Sequence, residues 1–184
     1  MPVANIEVRT VSCLFTPVRK YNPIDVVLDF IVQNYPVSEY PRILEIAAGS
    51  GNFSSKLADL SYQVTAMDPR TRYNPNLNYD VITEPFYQYT DISDYDLGIA
   101  IHPCGIHKDI IQNFKLNEKS LFLIPCYILT CDNSELTSYK NEDAWLEHLE
   151  AFNPKMKRKK FFASENTEHD FLIASYQNAF YTKK

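Results

Sequence analysis

Leu44-Glu-Ile-Ala-Ala-Gly-Ser-Gly-Asn-Phe53 holds two of the chain's four glycines, one residue apart, directly after an apolar run. With Arg42 and Ile43 ahead of it, Arg42–Ala47 reads as a short buried strand. A Gly-x-Gly turn after such a strand lets the backbone pass close to a ligand and enter a helix tightly. Residues 52–60 read as that helix, with Phe53, Leu57 and Leu60 on one face. Dinucleotides use such a turn but usually want G-x-G-x-x-G, and the third position here is Ser54. The acids are more telling. Glu45 lies inside the strand, where a carboxylate is costly to bury without a charged or hydrogen-bonding partner. Asp68 ends the next strand, Tyr62–Met67, 17 residues beyond Gly51, in position to bind ribose hydroxyls.

Working outward, residues 1–21 form an arm, and Asn22-Pro23 reads as an N-cap followed by proline at the first helical position. Ile24, Val27, Phe30, Ile31 and Tyr35 continue a helix to about residue 34. Val81–Thr83, Leu97–Ile101 and Leu121–Ile124 are three more strands, with a helix over 106–114 before the last. Asn141 caps a helix carrying Trp145, Leu146, Leu149 and Phe152. Lys159–Ala163 and Phe171–Ser175 flank a polar turn, the pattern of a hairpin. Residues 69–80 show no apolar periodicity, so a helix there is shortened or absent. Strands alternating with helices predict an α/β fold: a Rossmann-like, doubly wound, mostly parallel sheet with a C-terminal antiparallel hairpin. The 184 residues fit one domain, 1–184, with the arm and helix of residues 1–36 packed on it.

The array Glu45-x-Ala47-x-Gly49-x-Gly51 followed by Asp68 resembles the cofactor motif of class I S-adenosylmethionine-dependent methyltransferases. Ala47 stands where that family usually has its first glycine. The resemblance implies a trimmed form of that fold. It also implies a loop passing the methionine moiety of S-adenosylmethionine, and an Asp68 that holds the ribose. Glu84 and Phe86, after the third strand, are implied to meet the adenine; Phe86 as plain core is the alternative. Ile101-His-Pro-Cys-Gly-Ile-His-Lys-Asp109 and Ile124-Pro-Cys-Tyr127 end two strands on the rim where open α/β sheets bind ligands. His102, Cys104, Gly105, Asp109, Pro125 and Cys126 look like one methyltransferase branch. That branch includes tRNA 2′-O-methyltransferases and the methyltransferase-like domain of glutathione S-transferase C-terminal-domain-containing proteins. Tyr127 replaces a cysteine frequent in the branch, and Ile106-His107-Lys108 replaces small residues.

His102 is the candidate proton acceptor, since its unperturbed pKa lies near neutrality. The competing reading is that His102 and Asp109 shape the turn, and that Cys104 and Cys126 are small buried thiols. Neither the four cysteines nor the four histidines show metal-ligand spacing, so no metal site is expected. A net charge of −5 argues against a protein that coats nucleic acid by charge alone. The basic run Lys155-Met-Lys-Arg-Lys-Lys160 either grips RNA phosphates or is a solvated connection offsetting the acidic helix before it. No apolar run reaches the length of a membrane span. Scattered cysteines without a CxxC pair or a leader imply reduced thiols and a cytoplasmic protein. The expected activity is methyl transfer, with RNA slightly favoured as methyl acceptor over a small molecule. The rivals are a methyltransferase-fold binding module without catalysis and a nicotinamide-dependent oxidoreductase.

Overall fold

The computed structural model describes residues 23–71, 76–126, 139, 141–164 and 167–176. The expected arm, the Asn22 cap, Tyr127 and the remaining two cysteines, Cys13 and Cys131, lie outside the described residues. Among the described residues eleven elements follow in the order α1 (Pro23–Asn34), β1 (Arg42–Ile46), α2 (Asn52–Asp59), β2 (Gln63–Met67), β3 (Asp80–Ile82), β4 (Leu97–Ile101), α3 (His107–Leu116), β5 (Ser120–Ile124), α4 (Glu142–Ala151), β6 (Met156–Ser164) and β7 (Thr167–Ala174). They build one sheet in the order β3-β2-β1-β4-β5-β7-β6. The first five strands pair in parallel, and β7 runs antiparallel to both β5 and β6. The doubly wound sheet with its C-terminal hairpin is therefore the one expected.

Alternation along each strand sorts its side chains to two cores. Ile43, Val64, Ile99 and Phe122 join Val27, Ile31, Phe53 and Leu57 of α1 and α2. Leu44, Ile46, Ala100, Leu121 and Leu123 join Ile110, Ile111 and Phe114 of α3 and Trp145, Leu146 and Leu149 of α4. Burial on both faces explains why β4 and β5 read as near-continuous apolar runs and not as alternating strands. Helix α1 reaches across the sheet: the Phe30 ring lies 5.5 Å from Phe122 and 4.8 Å from Phe171. The Asn141 cap holds, its Oδ1 accepting the Ala144 N–H at 2.9 Å.

Among the described residues no helix joins β2 to β3, in line with the missing periodicity of 69–80, and none joins β3 to β4. The β3–β4 link is instead pinned by buried Asn113 of α3, whose Nδ2 donates to the carbonyls of Gln88 and Thr90, each at 2.8 Å. The basic run is not a connection: Met156–Lys160 is the first half of the edge strand β6. Charge hid the strand, because an edge strand rich in lysine resists pairing with other chains. Arg158 does offset the acidic helix, reaching Asp143 at 2.7 Å and Glu150 at 3.2 Å.

Gly98 sits in β4 beneath the Phe114 ring, and a Cβ there would collide with that ring. Both neighbours are locked in the core, so Gly98→Ala is expected to destabilise the fold by about 2 kcal/mol through overpacking. A denaturant-melting midpoint that does not fall would contradict this packing.

Candidate active site

The parallel registers bring the C-terminal ends of β1, β2, β4 and β5 to one rim. Ile46 lies beside Met67 on one side and Ala100 on the other, and Ile101 lies beside Ile124. The residues just beyond, Ala47, Asp68, His102 and Pro125, are therefore neighbours in space. Main-chain bonds close this edge: Ala47 N–H donates to Met67 O at 2.9 Å, and His102 N–H to Ile124 O at 2.8 Å. Five rim residues adopt left-handed backbone, namely Ala47 (φ 58°), Gly49 (57°), Gly51 (74°), His102 (52°) and Gly105 (83°). Non-glycine residues held this way concentrate at functional sites.

The glycine loop is built from both acids. Glu45 shares the face of Ile43, so alternation aims it at α2, where it is 4% exposed. Ser54 of α2 is fully buried and its hydroxyl donates to Glu45 Oε2. Burial raises the Glu45 pKa to about 7, against the lowering effect of Ser54. Ser54 occupies the position where a dinucleotide loop has its third glycine, so the departure that weakened that reading supplies the partner Glu45 needs. No cation is required.

Asp68 is 2% exposed, and its Oδ2 accepts the Gly49 N–H at 3.1 Å. Its Oδ1 accepts the Arg70 N–H at 2.8 Å, and the Arg70 guanidinium donates to both oxygens at 3.2 Å. Burial works to raise its pKa, but the hydrogen bonds from Arg70 and Gly49 outweigh burial and hold it below the ordinary carboxylate range. The Thr71 hydroxyl donates to Gly49 O at 2.6 Å, fixing the loop from the other side. Gly51 is required twice: its φ is 74°, and a Cβ there would strike the Tyr79 hydroxyl. At Gly49 an added Cβ meets none of the described residues within 4 Å, so its surface is open to a ligand. Sequence reasoning missed Ser54, Thr71 and Tyr79 as site residues. A signal existed for Ser54 alone, through its place in the glycine spacing.

The methyl group of Ala47, in place of the family's usual glycine, carries a conformational cost. At φ 58° its Cβ is in the conformation that disfavours side chains. Ala47→Gly is expected to stabilise the protein by about 1 kcal/mol, read as a rise in melting temperature. An unchanged or lowered value would mean that the backbone is not left-handed there.

Across the rim, His102 and Asp109 are half-buried, the latter in the first turn of α3, where a carboxylate suits the helix N-terminus. Gly105 is exposed. The Cys104 and Cys126 sulfurs lie 2.7 Å apart. Cys126 is fully buried, and Cys104 is disulfide-bonded, so the expectation of reduced thiols fails at that position. Glu84 is exposed on the loop after β3. Phe86 is 3% exposed and stacks on Phe114 with centroids 6.4 Å apart, as a core side chain. Among the described residues no helix is long and apolar enough to cross a membrane.

No family model and no curated relative matches the chain. Solved structures do resemble it. A putative methyltransferase from an antibiotic biosynthesis pathway of Anabaena variabilis is 15% identical, with a TM-score of 0.53 over 74% of this chain and 64% of that one. The methyltransferase domain of bacterial CtHen1 is 12% identical, with a TM-score of 0.57 over 83% of this chain and 97% of that one. The bifunctional kinase-methyltransferase WbdD is 13% identical, with a TM-score of 0.57 over 83% of this chain, which spans 39% of WbdD. At such identities the likeness is one of architecture. The chain has the fold of the class I S-adenosylmethionine-dependent methyltransferases.

Proposed function

We propose that this protein is an S-adenosylmethionine-dependent methyltransferase. One observation carries the reading: the buried Asp68 carboxylate lies against the Gly49 N–H, beside a loop surface that stays open. An acid that holds ribose hydroxyls and a loop that admits the methionine moiety need that juxtaposition. Glu45, buried behind the loop and close to its protonation midpoint at neutral pH, suits a charged group brought near it. When bound, S-adenosylmethionine supplies an electrophilic methyl group on a sulfonium.

The chain's own residues then have to align a nucleophile with that methyl, since orientation supplies much of the rate in such transfers. His102, on the neighbouring strand end, is the proposed proton acceptor for a hydroxyl or amine. The turn with Cys104, Gly105, Asp109 and Cys126 is the proposed wall of the substrate site, in keeping with the HPCG and Pro-Cys branch. RNA is placed ahead of a small molecule because Lys157, Lys159 and Lys160 are exposed along β6, with Lys155 exposed just before it. That strand lies four places from β1, about 19 Å at the usual strand spacing. A substrate meeting both it and the glycine loop must therefore be long.

Calorimetric titration with S-adenosylhomocysteine tests the cofactor assignment. Micromolar binding is expected, with none for NADH. Binding of NADH in its place would overturn the reading in favour of an oxidoreductase. S-adenosylhomocysteine binding without methyl transfer to RNA or to a small-molecule panel would leave a binding module.

A further inference from the structure

His107 opens α3 and is 2% exposed. Its Nε2 accepts the main-chain N–H of Cys126 at 3.2 Å, so that nitrogen carries no proton. In the neutral ring the proton is then on Nδ1. Burial, and after it the charge of His102, push the His107 pKa down to about 3, so the ring is neutral at ordinary pH. Nδ1–H is thus a buried donor, and it has no partner among the described residues.

Trp145 of α4, also 2% exposed, faces His107 edge-on, with ring centroids 5.3 Å apart and planes at 88°. Its indole Nε1–H, which can only donate, is likewise without a partner among the described residues. Folded proteins rarely leave two such groups side by side unsatisfied. Both being donors, the group that satisfies them must accept; an ammonium or an amine N–H fails. The pair also stands where open α/β sheets bind ligands, beyond the ends of β4 and β5. Aromatic rings continue outward from it: Tyr139 lies 5.1 Å from Trp145, and His148 lies 5.0 Å from Tyr139. His148 is exposed, so the wall reaches the surface.

We infer that His107 and Trp145 form a donor pair that holds a carbonyl or carboxylate oxygen of the methyl-accepting substrate. That the ligand is the methyl-accepting substrate rests on the methyltransferase reading; the oxygen site itself does not. The pair gives the site a selectivity that the His102 turn does not provide, favouring substrates with a planar oxygen acceptor beside the methylated atom.

Trp145 is the sole tryptophan, so the full chain labelled with nitrogen-15 has one indole N–H signal. Benzoate and uridine are the probes, one offering a carboxylate and the other a nucleobase carbonyl. One of them is expected to move that signal downfield, saturably, and the one that does so identifies the oxygen's source. His107→Gln keeps an acceptor for the Cys126 N–H but removes the ring donor, and is expected to weaken that probe about tenfold. An indole signal unmoved by both probes up to their solubility would overturn the assignment. So would unchanged affinity in His107→Gln, or a long-lived water at the indole that neither probe displaces. If the indole moves while S-adenosylhomocysteine fails to bind, the oxygen site stands and the methyltransferase reading falls. If S-adenosylhomocysteine binds while the indole stays unmoved, the methyltransferase reading stands and the oxygen site falls.

Discussion

Glu45→Gln is expected to change how stability depends on pH by about 3 kcal/mol between pH 4 and pH 8. The Glu45 pKa rises from an ordinary 4.5 to about 7 on folding, chiefly because the side chain is buried. A raised folded pKa means that the native state binds the proton more tightly than the unfolded chain. The stabilisation is therefore complete below about pH 4.5 and is lost as pH rises through about 7. Glutamine keeps an oxygen for the Ser54 hydroxyl but cannot ionise, so the variant lacks the decline that Glu45 contributes to the wild-type profile. Comparing the two proteins across pH cancels the packing difference and the contribution of every group they share, the lowered pKa of His107 among them. Urea unfolding at half-unit intervals is the measurement. Parallel profiles would show that Glu45 stays ionised in the fold and would require a cation beside it. A cationic ligand group brought near Glu45 would favour the ionised form, so binding near pH 7 should release a proton. Titration in buffers of different ionisation enthalpy detects that release.

What the sequence made legible followed from local rules, and what it hid followed from long-range packing. Ile43, Leu44 and Ile46 marked a strand buried on both faces. Glu45 stood out among them because a lone acid there demanded an explanation. The two glycines and Asp68 were readable because their spacing maps onto strand ends. By contrast, the left-handed backbone at Ala47 was marked only by the glycine usual at that place in the motif, since alanine itself does not announce it. Gly98 needs its glycine because Phe114 lies over it, and no spacing in the chain announces that contact. The β6 strand was read too short because its edge position favours lysines, and lysines broke the apolar pattern. Residues 83–96 carry no helix, and Asn113 anchors the Gln88 and Thr90 carbonyls among them from another element. His107 and Trp145 stand 38 positions apart in the chain and meet only because α3 and α4 cover the same face.

Asp68→Ala is expected to lower affinity for S-adenosylhomocysteine by at least about a hundredfold, the value of two charge-assisted hydrogen bonds. Arg70→Ala should act in the opposite direction, tightening binding severalfold. Each carboxylate oxygen of Asp68 already accepts two bonds, one from a main-chain N–H and one from the Arg70 guanidinium. The main-chain donors at Gly49 and Arg70 are fixed by the loop and remain when ligand enters. A pair of ribose hydroxyls can gain the carboxylate by displacing the guanidinium. Arg70 is the movable partner, its side chain 56% exposed, while Asp68 is 2% exposed. The wild-type affinity thus contains the loss of an ion pair, which Arg70→Ala removes in advance. Salt should mimic that variant weakly, because the pair is screened on the solvent side. Asp68→Asn offers one oxygen in place of two and should fall between wild type and alanine. Weaker binding in Arg70→Ala would show that the guanidinium contacts the cofactor itself. Unchanged binding in Asp68→Ala would remove the ribose from this acid, and with it the observation on which the methyltransferase reading rests.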